Sequence, residues 1–286
     1  PDLVAPGAYI NTTQTNGGYN FTSGTSFAAP HVSGSVALLL EKYPTMTNNE
    51  IKSLLMTTSE RVSDAYGSEF SLSDTGSGRL NLGKAFDANL IITPPNFVVN
   101  LSSDNKIAEK QLKLKLLNGT LNNFDVTFEG PEFIQVEDSL QEDILTIKIR
   151  ISGENYGTFQ EKILINHDKI KYTIPIQIHY TKASIDVIQN DNSLFFTIND
   201  PDWNFAKISV TKSNTEITDV ITATPNKDAK IRINQNGEYW IEAKIKSNDQ
   251  TLDAYNTVIA NSIDETQNDF EIIDVPQRQV IIFLGI

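Results

Sequence analysis

The spacing of apolar positions changes near residue 90. Before it, Val32, Val36, Leu39 and Leu40 recur at helical spacing, and Ile51, Leu54 and Leu55 do so again. The first predicted helix starts at Thr25 or Ser26 and runs to about Tyr43. Ala28, Ala29, Gly34, Ser35 and Ala37 make it thin enough for a neighbouring backbone to come close. Pro30 is read at the edge of its first turn, where a missing N–H costs least. The second predicted helix opens with a capping box, Thr47 and Glu50. Gly76–Ala88 reads as a turn and a short closing segment.

From Ile91 onward the period becomes two. Leu112, Leu114 and Leu116 alternate with lysines, and Leu145, Ile147, Ile149 and Ile151 alternate with Thr146, Lys148 and Arg150. Tyr172, Ile174, Ile176, Ile178 and Tyr180 share one strand face. This pattern predicts half-buried strands of antiparallel sheets. Pro175 predicts an edge strand. His167 falls in or beside a strand, and the alternation around His179 places it on an exposed face. Tyr180–Ser184 is a joint, after which strands recur at Leu194–Ile198, Ala206–Val210, Lys230–Ile233, Glu238–Lys246 and Tyr255–Ala260. Two β-sandwiches of ordinary size account for this half of the chain.

Composition narrows the picture. The 286 residues are enough for two or three domains. A net charge of −13 argues against nucleic acid as a partner, because phosphate contacts need clustered Lys and Arg. With no cysteine, disulfides and thiol chemistry are excluded within the chain. Pro1 at the start and an apolar run at the end suggest a piece of a longer protein. Four N-x-Ser/Thr sequons (Asn11, Asn20, Asn100, Asn118) and the turn carboxylates in Asn190–Ser193 and Asn199–Trp203 are weak signals. Asp and Asn in turns mostly serve turn geometry.

Ser26 is the candidate for chemistry. It stands at a turn that leads straight into the first helix. A serine hydroxyl needs a base to take its proton and donors for the oxyanion. A helix N-terminus offers free N–H groups and the positive end of a dipole. The bland alternative is an N-cap serine, which is what most serines before helices are.

The eleven residues Gly24-Thr25-Ser26-Phe27-Ala28-Ala29-Pro30-His31-Val32-Ser33-Gly34 resemble the nucleophile motif of subtilisin-like serine proteases (subtilases, peptidase S8). Pro1–Gly7 resembles the strand before that loop, Tyr43–Glu60 the next helix, and Gly76–Ala85 the closing segment. About 88 residues are covered. The resemblance implies an endopeptidase with a Ser-His-Asp triad, in which Ser26 is the acylated nucleophile and its N–H one oxyanion donor. The family's Asp, His and oxyanion Asn precede the serine, so they are expected upstream of Pro1. His31 is not the base. Five residues along a helix is a rise of about 7.5 Å and a turn of about 500°, which points it away from Ser26.

The fold class expected is therefore multidomain, a partial α/β subtilisin-like catalytic domain followed by two all-β Ig/Fn3-like sandwiches. Residues 1–90 are the C-terminal third of the catalytic domain. Residues 91–181 are an Fn3-like sandwich and 182–262 an Ig-like one. Residues 263–286 are an acidic stalk and apolar tail, with Val280–Ile286 either the start of a membrane anchor or a last strand. The expected function is a fragment of a secreted or cell-surface serine endopeptidase acting on polypeptides, inactive by itself. The resemblance allows calcium, but no cofactor or metal ligand can be assigned. The alternatives are a non-catalytic, protease-like surface stalk or binding protein, and a regulatory chain that pairs with a separate N-terminal fragment.

Overall fold

The computed structural model describes residues 1–261 except 122, 123, 214, 216, 226 and 249. The stalk and tail expected over 263–286 lie outside the described residues.

The first 90 residues form a small α/β segment. Its Pro1–Gly7 stretch is not a full strand; Val4 makes a single parallel bridge to Arg79. A hairpin follows, β1 (Ile10–Thr13) with β2 (Tyr19–Thr22). Then come α1 (Thr25–Lys42), α2 (Asn48–Thr57), the single turn α3 (Leu72–Thr75) and α4 (Leu82–Asp87). The capping box closes as expected: Glu50 N–H donates to Thr47 Oγ1 at 3.3 Å, and Thr47 N–H to Glu50 Oε2 at 2.8 Å. Pro30 is inside α1 rather than at its edge. It is the sixth helical residue, so the missing N–H leaves the Ser26 carbonyl without its i+4 donor. Gly78 is required where the closing segment turns back. Its φ is +125°, and a Cβ there would lie 2.1 Å from the Glu60 carbonyl oxygen.

The first sandwich comprises β3 (Leu90–Thr93), β4 (Phe97–Ser102), β5 (Ile107–Leu116), β6 (Phe124–Glu129), β7 (Ile134–Gln141), β8 (Ile144–Ile151), β9 (Gly157–His167) and β10 (Ile170–Thr181). Its sheets are ordered β3-β5-β8-β7 and β4-β10-β9-β6. The second comprises β11 (Ser184–Asn190), β12 (Ser193–Asn199), β13 (Trp203–Lys212), β14 (Thr218–Ala223), β15 (Ala229–Arg232), β16 (Gly237–Ser247) and β17 (Gln250–Ala260). Its sheets are β11-β12-β15 and β14-β13-β16-β17. The four-strand order of β3-β5-β8-β7 corresponds to the A-B-E-D sheet of Ig constant-type domains. The second unit lacks that fourth strand and pairs β14 with β13 instead. Alternation along a strand shows which face is buried, but not which sheet the strand joins.

Two details of the strands depart from the sequence reading. Most pairs are antiparallel, but β4 runs parallel to β10. Pro175 lies in an internal strand, with β9 on one side and β4 on the other. Proline is tolerated because β4 begins one step later, Phe97 opposite Ile176, so the position opposite Pro175 on that side is empty of strand.

The apolar core has two large clusters and a small third one of Ala5 and Ala28. One cluster runs without a break from Leu3 to Tyr180, and the other from Ala183 to Ala260. Within the first, α2 packs on β3, which brings Leu54, Leu55 and Met56 into the same core as Leu90, Ile91 and Ile92. A buried polar knot lies beside them. The Tyr172 hydroxyl accepts from the backbone N–H groups of Asn89 and Leu90, both at 3.0 Å, and donates to Asn89 Oδ1 at 2.9 Å. His167, fully buried, has its ring nitrogens 2.9 Å from Asn89 Oδ1 and 2.8 Å from the Thr120 carbonyl oxygen. Asn89 Nδ2 donates to Asp168 Oδ2 at 2.9 Å. At the surface of the same seam Arg61 pairs with Glu69 and Glu129, and Lys162 with Glu69. Exposed pairs of this kind contribute little each.

Tyr172→Phe strands two backbone donors in the core, which costs about 1–3 kcal/mol. We expect a lower urea midpoint for the unit built on the first core, with the transition of the second sandwich unmoved. Equal shifts of both transitions would show that the two cores are not separate.

Candidate active site

Ser26 sits in the first turn of α1, and three local devices hold that turn. Gly24 N–H donates to the Gly7 carbonyl at 2.9 Å, and Phe27 N–H returns to the Gly24 carbonyl at 3.0 Å. Ser23 Oγ accepts from Tyr9 N–H at 2.9 Å, tying the loop before the helix to the foot of β1. Below the turn, Ala28 is fully buried against Ala5. Two small side chains meet here, so the first turn of α1 can lie close to the segment beneath it.

The Ser26 side chain is exposed and makes no hydrogen bond among the described residues. It is not the cap: the N-cap is Gly24, with no side-chain cap bond. The N–H groups of Thr25 and Ser26 lie in the first turn, so no carbonyl of the helix can reach them. The site thus combines a free hydroxyl with free N–H donors and the positive end of an eighteen-residue helix. This is what a developing oxyanion beside an acylated serine requires.

Among the described residues, no base stands beside it. His31 is exposed, and its Nδ1 donates to the Phe27 carbonyl at 2.8 Å, one turn back along its own helix. His167 and His179 belong to the first sandwich, and both are buried. The exposed face expected for His179 is therefore wrong. The strand is covered on both faces, because the second sandwich lies against the side that alternation marks as outward. Asp2 pairs with Lys52 of α2 at 2.7 Å. Among the described residues, no group of three or more His, Asp or Glu is placed to hold a metal ion. The turn carboxylate Asp200 accepts from Asp202 N–H and from Ser247 Oγ, a turn-building role. The sequon residue Asn100 is half-buried, with its Oδ1 enclosed. No helix among the described residues is long and apolar enough to cross a membrane.

Large apolar side chains are exposed on the hairpin region before α1 and toward the far end of α1. Tyr9, Tyr19 and Phe21 of the hairpin region are 83%, 73% and 64% exposed, and Leu38 and Leu40 of α1 are exposed as well. Only Ala28, Ser35 and Leu39 of the helix are buried. The sequence pattern shows α1 to be apolar but does not show that most of this apolar surface is uncovered here.

Residues 1–80 match the subtilase family (Peptidase S8). Among curated proteins, the subtilisin-like protease SBT1.6 of Arabidopsis thaliana is 35% identical over 126 residues, covering 36% of this chain and 16% of that protein. Subtilisin E of Bacillus subtilis (strain 168) is 40% identical over 65 residues, covering 23% and 17% respectively. The chain thus spans about a sixth of the length of these relatives. Among solved structures, titin domains A168-A170 cover 70% of this chain and 72% of that one at 9% identity and TM-score 0.25. Mouse clustered PcdhgC3 EC1-3 covers 62% and 69% at 12% identity and TM-score 0.29. Scores this low carry no argument, and the description of the sandwiches rests on their strand order.

Because Ser26 Oγ has no structural partner, Ser26→Ala is expected to leave stability within about 0.5 kcal/mol of the parent chain. A thermal shift well outside that range would mean that the hydroxyl is part of the fold.

Proposed function

We propose, from the premise that residues 1–80 are a segment of a subtilase, that this chain is part of a secreted or cell-surface serine endopeptidase in which Ser26 is the nucleophile. The observation that carries this is the unbonded Ser26 hydroxyl in the open first turn of α1, inside an eleven-residue motif of the family. The Ser26 N–H supplies one oxyanion donor. A polypeptide carbonyl is the electrophile, and an acyl-enzyme is the intermediate.

The remaining groups come from outside these residues. His31 is committed to its own helix, and the other two histidines are buried in the first sandwich. The family pattern assigns the base, the carboxylate that orients it and the side-chain oxyanion donor to residues that precede the nucleophile. The uncovered Tyr9, Tyr19, Phe21, Leu38 and Leu40 fit a surface that another part of the catalytic domain would bury. The first sandwich, which shares a core with the protease segment, supports the site as well as spacing it from its surroundings.

Triad members act as a unit, so a serine without its base loses most of the rate. The 286-residue chain is expected to give only background peptide hydrolysis. The longer parent protein is expected to be labelled at Ser26 by a fluorophosphonate, with labelling and cleavage both lost in Ser26→Ala. Absence of labelling in the parent would replace this reading with the non-catalytic stalk. Turnover by the 286-residue chain that disappears in Ser26→Ala would place a base within it.

A further inference from the structure

The two sandwiches meet over a single imidazole. His179 of β10 is only 5% exposed. Its ring centroid lies 4.3 Å from that of Tyr255 on β17 and 5.1 Å from that of Trp240 on β16. A histidine of the first unit is therefore seated against two aromatic rings of the second. Beside it, Asn100 of β4, paired with His179 in register, donates from Nδ2 to Thr257 Oγ1 of β17 at 3.3 Å. The chain between the units is short, with β10 ending at Thr181 and β11 beginning at Ser184. A two-residue link limits separation but not rotation, and rotation alone parts the rings.

Two polar groups of the first sandwich contact the ring and stay with it whether or not the second sandwich is seated, so what seating adds is burial under Trp240 and Tyr255. Nε2 lies 2.8 Å from Gln177 Nε2, and Nδ1 lies 2.9 Å from Thr158 Oγ1. An amide nitrogen only donates, so His179 Nε2 is the acceptor and Nδ1 carries the single proton. A second proton, on Nε2, would point at the hydrogens of the Gln177 amide. It would also place a charge where water is excluded.

The groups around the ring offer no opposite charge to an imidazolium. From β9, β10 and β4 the neighbours are Thr158, Gln177 and Asn100, all uncharged. From β16 and β17 they are Trp240 and the Tyr255 phenol, whose own ionisation is pushed up, chiefly by burial. Glu242 is opposite Tyr255 in the β16–β17 pair, with Lys244 3.9 Å from its carboxylate. Asp253 is opposite Lys244 in the same pair. No carboxylate pairs with His179 among the described residues.

We propose that His179 is an acid-released latch: the neutral imidazole seats the second sandwich on the first, and protonation parts them. Burial pulls the pKa of His179 from 6.5 down to about 4 in the seated form. The open form has an ordinary imidazole and binds the proton first. Seating is therefore strongest above pH 6.5 and weakens as pH falls from there to about 4, by about tenfold per unit, after which it changes no further. Over the whole window the seated-to-open ratio drops by up to about 300-fold.

The test uses the full chain, which has no native cysteine. Glu132→Cys and Asp219→Cys place dyes on exposed positions of the two sandwiches. Single-molecule energy transfer is expected to show a seated-to-open ratio that is flat from pH 8 to 7. Below pH 6.5 it should fall with a slope approaching one decade per unit. His179→Gln, which cannot be protonated, should flatten the profile. Gln177→Glu, which offers Nε2–H an acceptor and raises the seated pKa toward that of the open form, should shrink the fall or remove it. A flat profile in the parent chain, or an unchanged slope in His179→Gln, overturns the latch. If His179→Gln does not fold, the imidazole resonance of the parent chain decides. Titration of His179 well below 6.5 supports the latch, and titration at 6.5 in the seated form overturns it.

Discussion

The larger unit of this protein depends on how Asn89 is held. It stands between the last turn of the α/β segment and the first strand of the sandwich. Its backbone N–H, side-chain oxygen and side-chain nitrogen are each bonded to residues some eighty positions away, Tyr172, His167 and Asp168. An unmet donor or acceptor in that position would cost as much as several good contacts contribute. The knot therefore fixes where β3 begins, and β3 is the strand on which α2 rests. The protease segment and the first sandwich share one core because of this junction, and they do not merely follow one another along the chain.

That arrangement bears on the serine turn. α1 buries only a narrow strip, and Ala28 against Ala5 sets how close it lies to the segment beneath. The closing segment, with Gly78 pressed against the Glu60 carbonyl, carries the chain from under α1 toward α4 and Asn89. The support of the Ser26 turn and the anchoring of the first sandwich are thus parts of one continuous packing. Pro30 adds a local feature, since its missing N–H frees the Ser26 carbonyl from the helix ladder.

The two seams of the molecule differ in kind. The first is dry and apolar, with a buried polar knot that is fully partnered. The second is a cluster of three rings with one weak hydrogen bond beside it, joined by a two-residue link. The first seam rests chiefly on apolar burial, whereas a seam seated on a neutral imidazole takes its strength from proton activity. This contrast makes the outer module the part of the chain whose placement can respond to acid.

The sequence alone determined the local elements and the family motif around Ser26. Helical spacing placed α1 and α2, and Thr47 and Glu50 marked a cap that forms with both bonds. Period-two alternation located the strands, and an eleven-residue motif marked the turn at Ser26. These are features of neighbouring residues, and short-range geometry decides them. The tertiary structure decided everything that needed a distant partner. It placed β4 parallel to β10 and assigned the fourth strand of each unit to its sheet. It gave Pro175 an internal strand and a vacant flank. It buried His179, which alternation had put on the outside, because a second sandwich covers that face, and alternation records only one burying surface at a time. Asn89 gave no signal at all in the sequence. An asparagine after a short helix looks like a turn residue until the chain returns eighty positions later with a tyrosine and a histidine to meet it.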